Sequence, residues 1–190
     1  GSMGQSGIDT GDIPASLRFR NTASANLSKT LAAGTNPKIF TWFGFVKRSV
    51  FGGNCTLLSA YDGVGTYQGQ IGFDTSDRLY FQYGGATQNI ITTTAVYRDP
   101  TAPLFILVAC DATNTKSKIE VNGVVVASST SSPANVASKI NTACIHRIGS
   151  YYDGTLQHFG GYLSRVGFVD NAYLSTTDVA YLNTEINEWV

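Results

Sequence analysis

Several tyrosines stand beside glycine, aspartate or amide residues, in stretches that are typical of surface loops. Sugar recognition uses this combination, because an aromatic ring packs on the C–H face of a sugar while planar polar side chains bind its hydroxyls. We therefore predict carbohydrate-binding side chains in these loops. The candidates are Tyr61, Asp62, Tyr67, Tyr83, Tyr151, Tyr152, Asp153 and His158. Each tyrosine can instead anchor a protein interface or lie in the core with its hydroxyl at the surface.

The histidines and glycines offer little other chemistry. Cys144 and His146 share one face of a predicted strand, so a Cys–His dyad is conceivable. Residues two apart on one strand do not generally aim at one reacting atom, so a structural histidine is the favoured interpretation. A Gly-x-Ser-x-Gly segment is absent. Gly63-Val64-Gly65 lacks the following helix that a phosphate loop needs.

The composition argues against several function classes. Thirteen basic residues balance thirteen acidic ones among 190 residues, whereas a general nucleic-acid binder needs a positive field. The longest apolar run, Leu104 to Cys110, is too short to span a membrane. The three cysteines are widely spaced and form no metal-binding pair, which predicts buried free thiols and synthesis inside a cell.

The two ends differ from the middle of the chain. Residues 1–14 begin with Gly-Ser-Met, typical of a cloning remnant before a start methionine, and continue as a Gly-, Ser- and Asp-rich flexible arm without a secretory signal. Near the other end, Ser175 or Thr176 can cap a helix, and apolar residues recur at helical spacing from Val179 onward. This pattern predicts a short C-terminal α-helix within residues 175–190.

About ten short apolar or alternating runs, separated by turn residues, lie between the arm and the helix. The predicted strands are 16–20, 38–46, 56–60, 68–74, 78–83, 88–96, 103–111, 118–121 with 124–126, 143–149 and 159–169. Asn122-Gly123 accepts the two positive φ angles of a type I′ turn and therefore predicts a tight hairpin. Segment 38–46 is apolar on both faces and must be covered twice or line a groove. Residues 15–190 are thus predicted to form one all-β sandwich or barrel.

Eight pieces of the chain, in one order from Ser16 to about Asp178, carry a family resemblance. They are Ser16 to Phe19, Phe40 to Arg48, Arg78 to Phe81, Tyr97 to Pro100, Asp111 to Thr113, Lys118 to Val124, Tyr152 to Gly154 and Gly161 to Asp170. In this order the chain resembles the concanavalin A-like, laminin-G-like jelly-roll domains, in the form common in bacteriophage virion proteins. The resemblance implies an antiparallel jelly-roll β-sandwich. That fold hosts lectins, glycanases, receptor-binding domains and structural modules.

Glycan cleavage on such a scaffold requires carboxylates that this chain does not arrange. Glycanases of this fold place two Glu and an Asp at alternate positions on one strand, because hydrolysis needs two carboxylates. The chain has three Glu: Glu120 lies at a predicted hairpin end, and Glu185 and Glu188 lie in the predicted helix. An enzymatic function is therefore disfavoured.

Domains of this fold often bind Ca²⁺ through Asp, Asn and backbone oxygens in their loops. The corresponding candidates here are Asp111, Asn114 and Asp153, with Asp62 and Asn54 as further ones. A role as turn formers is the alternative for each. We expect no other cofactor, and Ca²⁺ stays open.

The resemblance and the loop tyrosines together predict a non-catalytic module of a phage virion, from a tail fibre or a capsid appendage. Its partners would be bacterial surface carbohydrate or other virion proteins, without nucleic acid or membrane, and it would be synthesised in the host cytoplasm. The alternative is a purely structural capsid decoration or oligomerisation domain without a ligand, for example a homotrimer. A glycan-cleaving enzyme is the third, disfavoured hypothesis.

Overall fold

In the computed structural model, residues 16–63, 69–84, 89–130, 135 and 137–182 are described, and these contain twelve β-strands and one α-helix. The helix, α1, covers Thr176–Leu182. The strands are β1 Leu17–Phe19, β2 Leu27–Thr30, β3 Ile39–Arg48, β4 Cys55–Tyr61, β5 Gly69–Phe73, β6 Arg78–Tyr83, β7 Asn89–Val96, β8 Leu104–Asp111, β9 Lys116–Val121, β10 Val124–Ser129, β11 Ile145–Ile148 and β12 Gly161–Asp170.

The strands form two antiparallel sheets of six strands each. The first sheet has the order β1-β12-β3-β8-β9-β10 and the second has the order β2-β11-β4-β5-β6-β7. This arrangement confirms the predicted antiparallel β-sandwich, and every predicted strand has a counterpart. Strand β2 was not predicted, because all four of its residues are exposed and it has no apolar alternation. Its pairing with β11 forms it.

The hairpin between β9 and β10 is confirmed in detail. Asn122 and Gly123 both have positive φ, at 51° and 81°, as a type I′ turn requires. The Asn122 side chain also accepts a hydrogen bond from the backbone N–H of Phe105, at 2.8 Å. The turn is thereby fixed to the start of β8, the strand beside it.

Strand β3 is covered on both faces, as its apolar sequence predicted. Phe40, Trp42 and Val46 lie in the main core between the two sheets. Phe43 points the other way and packs with Val179 of α1 in a second, smaller core. The first sheet is thus buried on its outer face by the C-terminal part of the chain.

Glu120 fixes the start of α1 on this outer face. Its carboxylate accepts hydrogen bonds from the Thr176 backbone N–H at 2.8 Å and from the Thr176 hydroxyl at 2.6 Å. Lys118 forms an ion pair with it at 2.6 Å. Burial acts to raise the pKa of Glu120, but the hydrogen bonds from Lys118 and Thr176 outweigh burial and the pKa is lowered. The predicted remainder of the helix, 183–190, lies outside the described residues. No helix in the described residues has the length and apolar composition needed to cross a membrane.

A buried ion pair joins the two sheets at one end of the sandwich. Arg48, the last residue of β3, lies 2.8 Å from Asp77 in the turn between β5 and β6, and these side chains are 2% and 1% exposed. Asp77 also accepts hydrogen bonds from Arg98 at 2.7 Å and from the Gly52 backbone N–H at 2.8 Å. Burial acts to raise the pKa of Asp77, but these donors outweigh it and the pKa lies below its ordinary value.

We predict that Arg48→Ala lowers the free energy of unfolding by about 3 kcal/mol, because the Asp77 carboxylate loses its buried partner and keeps only Arg98, which is 62% exposed, and the Gly52 backbone N–H. The matched control is Arg78→Ala, since Arg78 pairs with Asp74 at the same distance of 2.8 Å but is 46% exposed. The control should cost less than about 1 kcal/mol. Urea unfolding of both variants measures the difference. Equal losses would contradict a special role for the buried pair.

Asp170, at the end of β12, holds a second junction. Its carboxylate accepts hydrogen bonds from the Thr35 backbone N–H and from the Asn141 side-chain amide, both at 2.6 Å. Asn141 lies in the segment that leads into β11 of the second sheet. Burial acts to raise the pKa of Asp170, but the hydrogen bonds from Asn141 and Thr35 prevail and lower it to about 2.

Because the folded-state pKa is depressed to about 2, the Asp170 contribution to stability should be nearly complete above about pH 4 and should be lost as the pH falls through 2. We therefore predict that Asp170→Asn is less stable than the parent at pH 6 and that the gap narrows steadily from pH 4 to pH 2, where most of it is gone. Urea midpoints at pH 6, 4, 3 and 2 measure this gap. A gap that does not change with pH would show that the Asp170 charge has no such role.

Candidate functional site

Four of the eight predicted carbohydrate-binding residues meet in one open hollow of about 400 Å³ on the outer face of the second sheet. Tyr61 and Asp62 lie at the end of β4, and Tyr152 and Asp153 lie in the loop that follows β11. Arg147 of β11 completes the set. We call this site the tyrosine hollow.

The alternation of β11 explains why Arg147 belongs to the hollow. Ile145 pairs with Tyr61 and Arg147 pairs with Ser59, so both side chains share the outer face of the sheet with Tyr61. His146, between them, points into the sandwich and is 6% exposed. Sequence reasoning missed Arg147, although the alternation that places Cys144, His146 and Ile148 on one face already leaves Arg147 on the other.

The aromatic rings of the hollow form a packed cluster. The ring centroids of Tyr61 and Tyr152 are 4.4 Å apart, and those of Tyr151 and Tyr152 are 4.3 Å apart. All three tyrosines are half-buried. Because each ring is held by its neighbour, Tyr61 and Tyr152 offer a surface that is fixed before any ligand arrives.

Charged groups surround these rings. Lys139 forms an ion pair with Asp62. The Arg147 guanidinium donates a hydrogen bond to the backbone carbonyl of Tyr152, which ties β11 to the loop. Asp153 accepts the backbone N–H of Thr155 at 2.8 Å. Burial acts to raise the pKa of Asp153, but hydrogen bonds from Thr155 outweigh burial and lower it, so its carboxylate is charged at neutral pH.

The prediction that Tyr83 is a loop residue at a binding site is wrong. Strand β6 extends through Tyr83, and its alternation places Leu79, Phe81 and Tyr83 together in the core. The side chain is 1% exposed, and burial raises its pKa. A tyrosine next to two glycines suggested a loop, but the inward register of β6 decides its position.

The remaining predicted residues have different positions. Tyr151 packs on Tyr152 but does not line the hollow. His158 is also outside its lining, half-buried, with both ring nitrogens buried and unpartnered among the described residues. Tyr67 lies outside the described residues.

The Ca²⁺ candidates fall into two separate places. The Asp111 carboxylate accepts hydrogen bonds from the backbone and side chain of Asn114, at 3.1 and 2.8 Å, and these two residues form a turn at the end of β8 in the first sheet. Asp153 lies at the hollow beside the second sheet. In the part of the chain that the structure describes, no group of three His, Cys, Asp or Glu is arranged to hold a metal. Binding of Ca²⁺ stays a prediction.

The structural interpretation of His146 is confirmed. Its Nε2 accepts the Asn141 backbone N–H at 3.2 Å, and its Nδ1 lies 3.1 Å from the carbonyl of Cys144. Burial lowers the pKa of His146. All three cysteines are free and buried, as predicted, and burial raises the pKa of the Cys144 thiol. A buried, protonated thiol beside a hydrogen-bonded imidazole is not an activated nucleophile.

Comparison with known proteins identifies the fold. No protein-family model and no curated protein sequence matches this chain. A CBM40 module of an IT-sialidase from Ruminococcus gnavus is 15% identical, with a TM-score of 0.63, covering 84% of this chain and 98% of that one. A heptameric SAP-like pentraxin from Limulus polyphemus is 14% identical, with a TM-score of 0.66, covering 88% of this chain and 80% of that one. NanB sialidase from Streptococcus pneumoniae has a TM-score of 0.68 at 14% identity, but the match covers 27% of that chain.

These neighbours place the protein in a fold class. It is an antiparallel jelly-roll β-sandwich, the fold that the sequence resemblance implied. At this level of identity the likeness concerns the fold alone, and the fold does not determine a ligand.

The conformation of the loop at the hollow depends on Gly154. Its φ is +77°, and a Cβ there would lie 3.1 Å from Nε of Arg147. We predict that Gly154→Ala lowers the free energy of unfolding by about 1 kcal/mol and displaces Arg147. Gly53→Ala is the matched control, since Gly53 has no atom within 4 Å of the added Cβ. Urea unfolding and the Arg147 Nε–H resonance measure both effects. A Gly154→Ala variant with unchanged stability and an unchanged Arg147 resonance would contradict this account of the loop.

Proposed function

We propose that this protein is a non-catalytic glycan-binding module whose binding site is the tyrosine hollow. One observation carries the proposal: Tyr61, Asp62, Tyr152 and Asp153, chosen from the sequence for sugar chemistry, lie together in one open hollow of about 400 Å³. The size suits one or two sugar rings, since small-molecule sites span about 300–1,000 Å³.

The hollow contains the groups that sugar recognition requires. The faces of Tyr61 and Tyr152 can pack on the C–H groups of a pyranose ring. Asp62 and Asp153 accept hydrogen bonds from sugar hydroxyls, and Arg147 donates to ring or carboxylate oxygens. Because Lys139 and Tyr152 already hold Asp62 and Arg147, these polar groups need little reordering when a ligand binds.

Two structural neighbours support this proposal. The Ruminococcus gnavus CBM40 module has been seen bound to alpha2,3 sialyllactose and to alpha2,6 sialyllactose, with a TM-score of 0.62 in both cases. We extend to this chain only the class of ligand, a surface glycan. Arg147 makes acidic glycans the first group to test, because its guanidinium can bind a carboxylate in bidentate form.

We also propose that the module belongs to a phage particle, as part of a tail fibre or capsid appendage that binds bacterial surface glycan. The support for this part is the sequence resemblance of the segments from Ser16 to Asp178. Mass spectrometry of purified virions would test this placement, and absence of the protein from the particle would contradict it.

We predict that the purified domain binds members of a glycan array and that Tyr152→Ala weakens binding about tenfold, because one stacking face is lost. Tyr162→Ala is the matched control. Tyr162 is 38% exposed on β12 of the first sheet and lies outside the lining of the hollow. Equal binding by the parent, Tyr152→Ala and Tyr162→Ala would mean that the glycan binds outside the tyrosine hollow. An array without any bound glycan would contradict glycan binding.

The same array, run with Ca²⁺ and with EDTA, tests the metal prediction. Binding that survives EDTA means that the hollow works through its protein groups alone. Binding lost in EDTA and restored by Ca²⁺ would point to oxygen ligands such as Asp153 and Asp62.

A second candidate function, self-association, is favoured by an apolar edge. Strands β7 and β10 end their sheets at the same side of the sandwich. Val96 of β7 is 48% exposed at one end of this side, and Val124 and Val125 of β10 are 62% and 53% exposed at the same end. A row of apolar side chains on edge strands suits pairing with a second copy of the chain. The pentraxin neighbour is a heptamer.

We predict that Val125→Lys reduces such an assembly to the monomer, because a charge then lies on the edge strand. Sedimentation velocity of the parent and the variant measures this. Tyr162→Lys, an exposed position on another strand, is the control. A parent that is monomeric at high concentration would contradict self-association.

A further inference from the structure

The C-terminal part of the chain covers one part of the outer face of the first sheet and leaves another part accessible. Val179 of α1 packs with Phe43 and Leu107, which are 3% and 0% exposed. Phe45 and Lys47 are the next residues of β3 that point the same way, because side chains alternate along a strand. Phe45 is half-buried and Lys47 is exposed. The outer face is therefore accessible toward the end of β3.

Strand register brings three further side chains to this accessible part. Phe105 of β8 pairs with Phe45 of β3. Tyr162 of β12 pairs with Lys47 on one side and with Arg18 of β1 on the other. Directly paired residues of neighbouring strands share one face of the sheet. All five side chains therefore lie on the outer face, in two rows across the first sheet.

Two hollows, of about 230 and 330 Å³, follow these rows, and Phe45 lines both of them. Phe105 and Arg165 line the first hollow, and Lys47 and Tyr162 line the second. The ring centroids of Phe45 and Phe105 are 4.9 Å apart, so these rings form one aromatic surface. We call the whole set the basic aromatic patch. Its members are Arg18, Phe45, Lys47, Phe105, Tyr162 and Arg165.

The patch carries three cationic side chains, and its six members include no carboxylate. Arg18 and Lys47 are exposed, and Arg165 is half-buried. The segment before β8 carries Asp99, whose carboxylate accepts the backbone N–H and the hydroxyl of Thr101, at 2.7 and 2.6 Å. In a chain without net charge, this local excess of positive charge favours an acidic partner.

The described part of the chain begins at this patch. Ser16 lines the second hollow together with Lys47 and Tyr162. Residues 1–15 precede Ser16 and lie outside the described residues. An extended chain spans about 3.3 Å per residue, whereas four neighbouring strands cover about 14 Å. About five residues therefore suffice to reach from Ser16 across the patch.

The segment before Ser16 has the composition that complements the patch. Residues 8–14 read Ile-Asp-Thr-Gly-Asp-Ile-Pro, with two carboxylates and two aliphatic side chains. Residues 1–17 contain no Lys, Arg or His, so the first basic side chain of the sequence is Arg18, a member of the patch. Acidic groups and aliphatic groups alternate in this segment as cations and rings do on the patch.

We propose that residues 8–14 of the same chain bind the basic aromatic patch. Their carboxylates pair with its cations, and their isoleucines pack on the Phe45 and Phe105 rings. An exposed ion pair contributes little by itself, so binding requires the apolar contact as well as the charges. The bound segment covers an aromatic surface of the first sheet, and the proposal does not depend on glycan binding at the tyrosine hollow of the second sheet.

The direct test compares amide resonances of the ¹⁵N-labelled full chain with those of an Asp9→Asn, Asp12→Asn double variant. We expect the amides of Phe45 and Phe105 to shift, whereas that of His146 on the second sheet stays in place. NaCl at about 1 M should shift the parent in the same direction, because the Debye length falls to about 3 Å. Phe45 and Phe105 resonances that are the same in parent and variant would overturn the proposal.

The role of the cations is tested by a protease that cleaves before aspartate. We expect Lys47→Gln to speed cleavage before Asp9 and Asp12 about threefold, the effect of losing one exposed ion pair. Lys29→Gln is the matched control, since Lys29 is an exposed lysine on β2 of the second sheet. The control should be cleaved at the rate of the parent. The same cleavage rate for both variants would rule out pairing at the patch.

Two further measurements separate this segment from other occupants. Binding within one chain predicts the same resonances and cleavage rates at 10 µM and at 1 mM protein. Values that change with concentration would mean that the segment binds a second copy, which overturns binding within the chain. Residues 183–190 contain the other acidic segment, with Glu185 and Glu188. A shift of Phe45 in a Glu185→Gln, Glu188→Gln variant, without one in the Asp9→Asn, Asp12→Asn variant, would assign the patch to that segment instead.

Discussion

The pairing of Arg48 with Asp77 is the constraint on which the sandwich depends at one end. A buried ion pair gains little over apolar packing, because desolvation offsets most of the attraction. The pair matters because removal of one partner leaves the other charge buried with fewer compensating groups. Arg48 also donates to the carbonyls of Tyr97 at 2.7 Å and Val50 at 3.2 Å, so one guanidinium holds three segments. It packs over the Phe73 ring, 4.1 Å from its centroid. The ion pair therefore sets how the end of β3 lies against β5 and β6.

A second polar layer fixes the loop that carries Tyr152. Gln157 accepts a hydrogen bond from Gln70 at 2.6 Å, and Thr56 donates to the same oxygen at 3.2 Å. The Ser59 hydroxyl donates to the carbonyl of Ser150 at 2.9 Å. These partners lie on the outer face of the second sheet, so the polar side chains of that face are hydrogen-bonded to the loop that covers them. The loop is thus bonded along its length, and the aromatic surface of the hollow follows from that framework.

Sequence reasoning reached the fold because its strongest signals are local. Asn122-Gly123 specifies its own turn, and the two-sided apolar strand 38–46 requires covering on both faces wherever the chain provides it. Strand β2 could not be found this way, because the partner β11 and not its own sequence makes it a strand. Tyr83 failed for a related reason: its glycine neighbours are a local signal, whereas its burial depends on the register of β6.

The candidate site was predictable only in part, because local signals identify its loop residues one by one but do not show that they come together. Residues that follow strand ends, such as Asp62 and Asp153, can be recognised as loop residues one at a time. That they face one hollow depends on β4 lying beside β11, a pairing of strands far apart in the sequence. Arg147 enters the site through that pairing and Lys139 through its ion pair with Asp62, so neither stood out in the chain.

Strand β11 separates the tyrosine hollow from the interior of the sandwich. Its residues alternate, so that Arg147 faces the hollow while His146 and Ile148 face the interior. A strand this short cannot shift by one residue without exchanging the two sets of side chains, which would bury a guanidinium among apolar walls. The pairing with β4 on one side and β2 on the other prevents this shift. The register that makes the outer surface polar is therefore the same one that keeps the interior apolar.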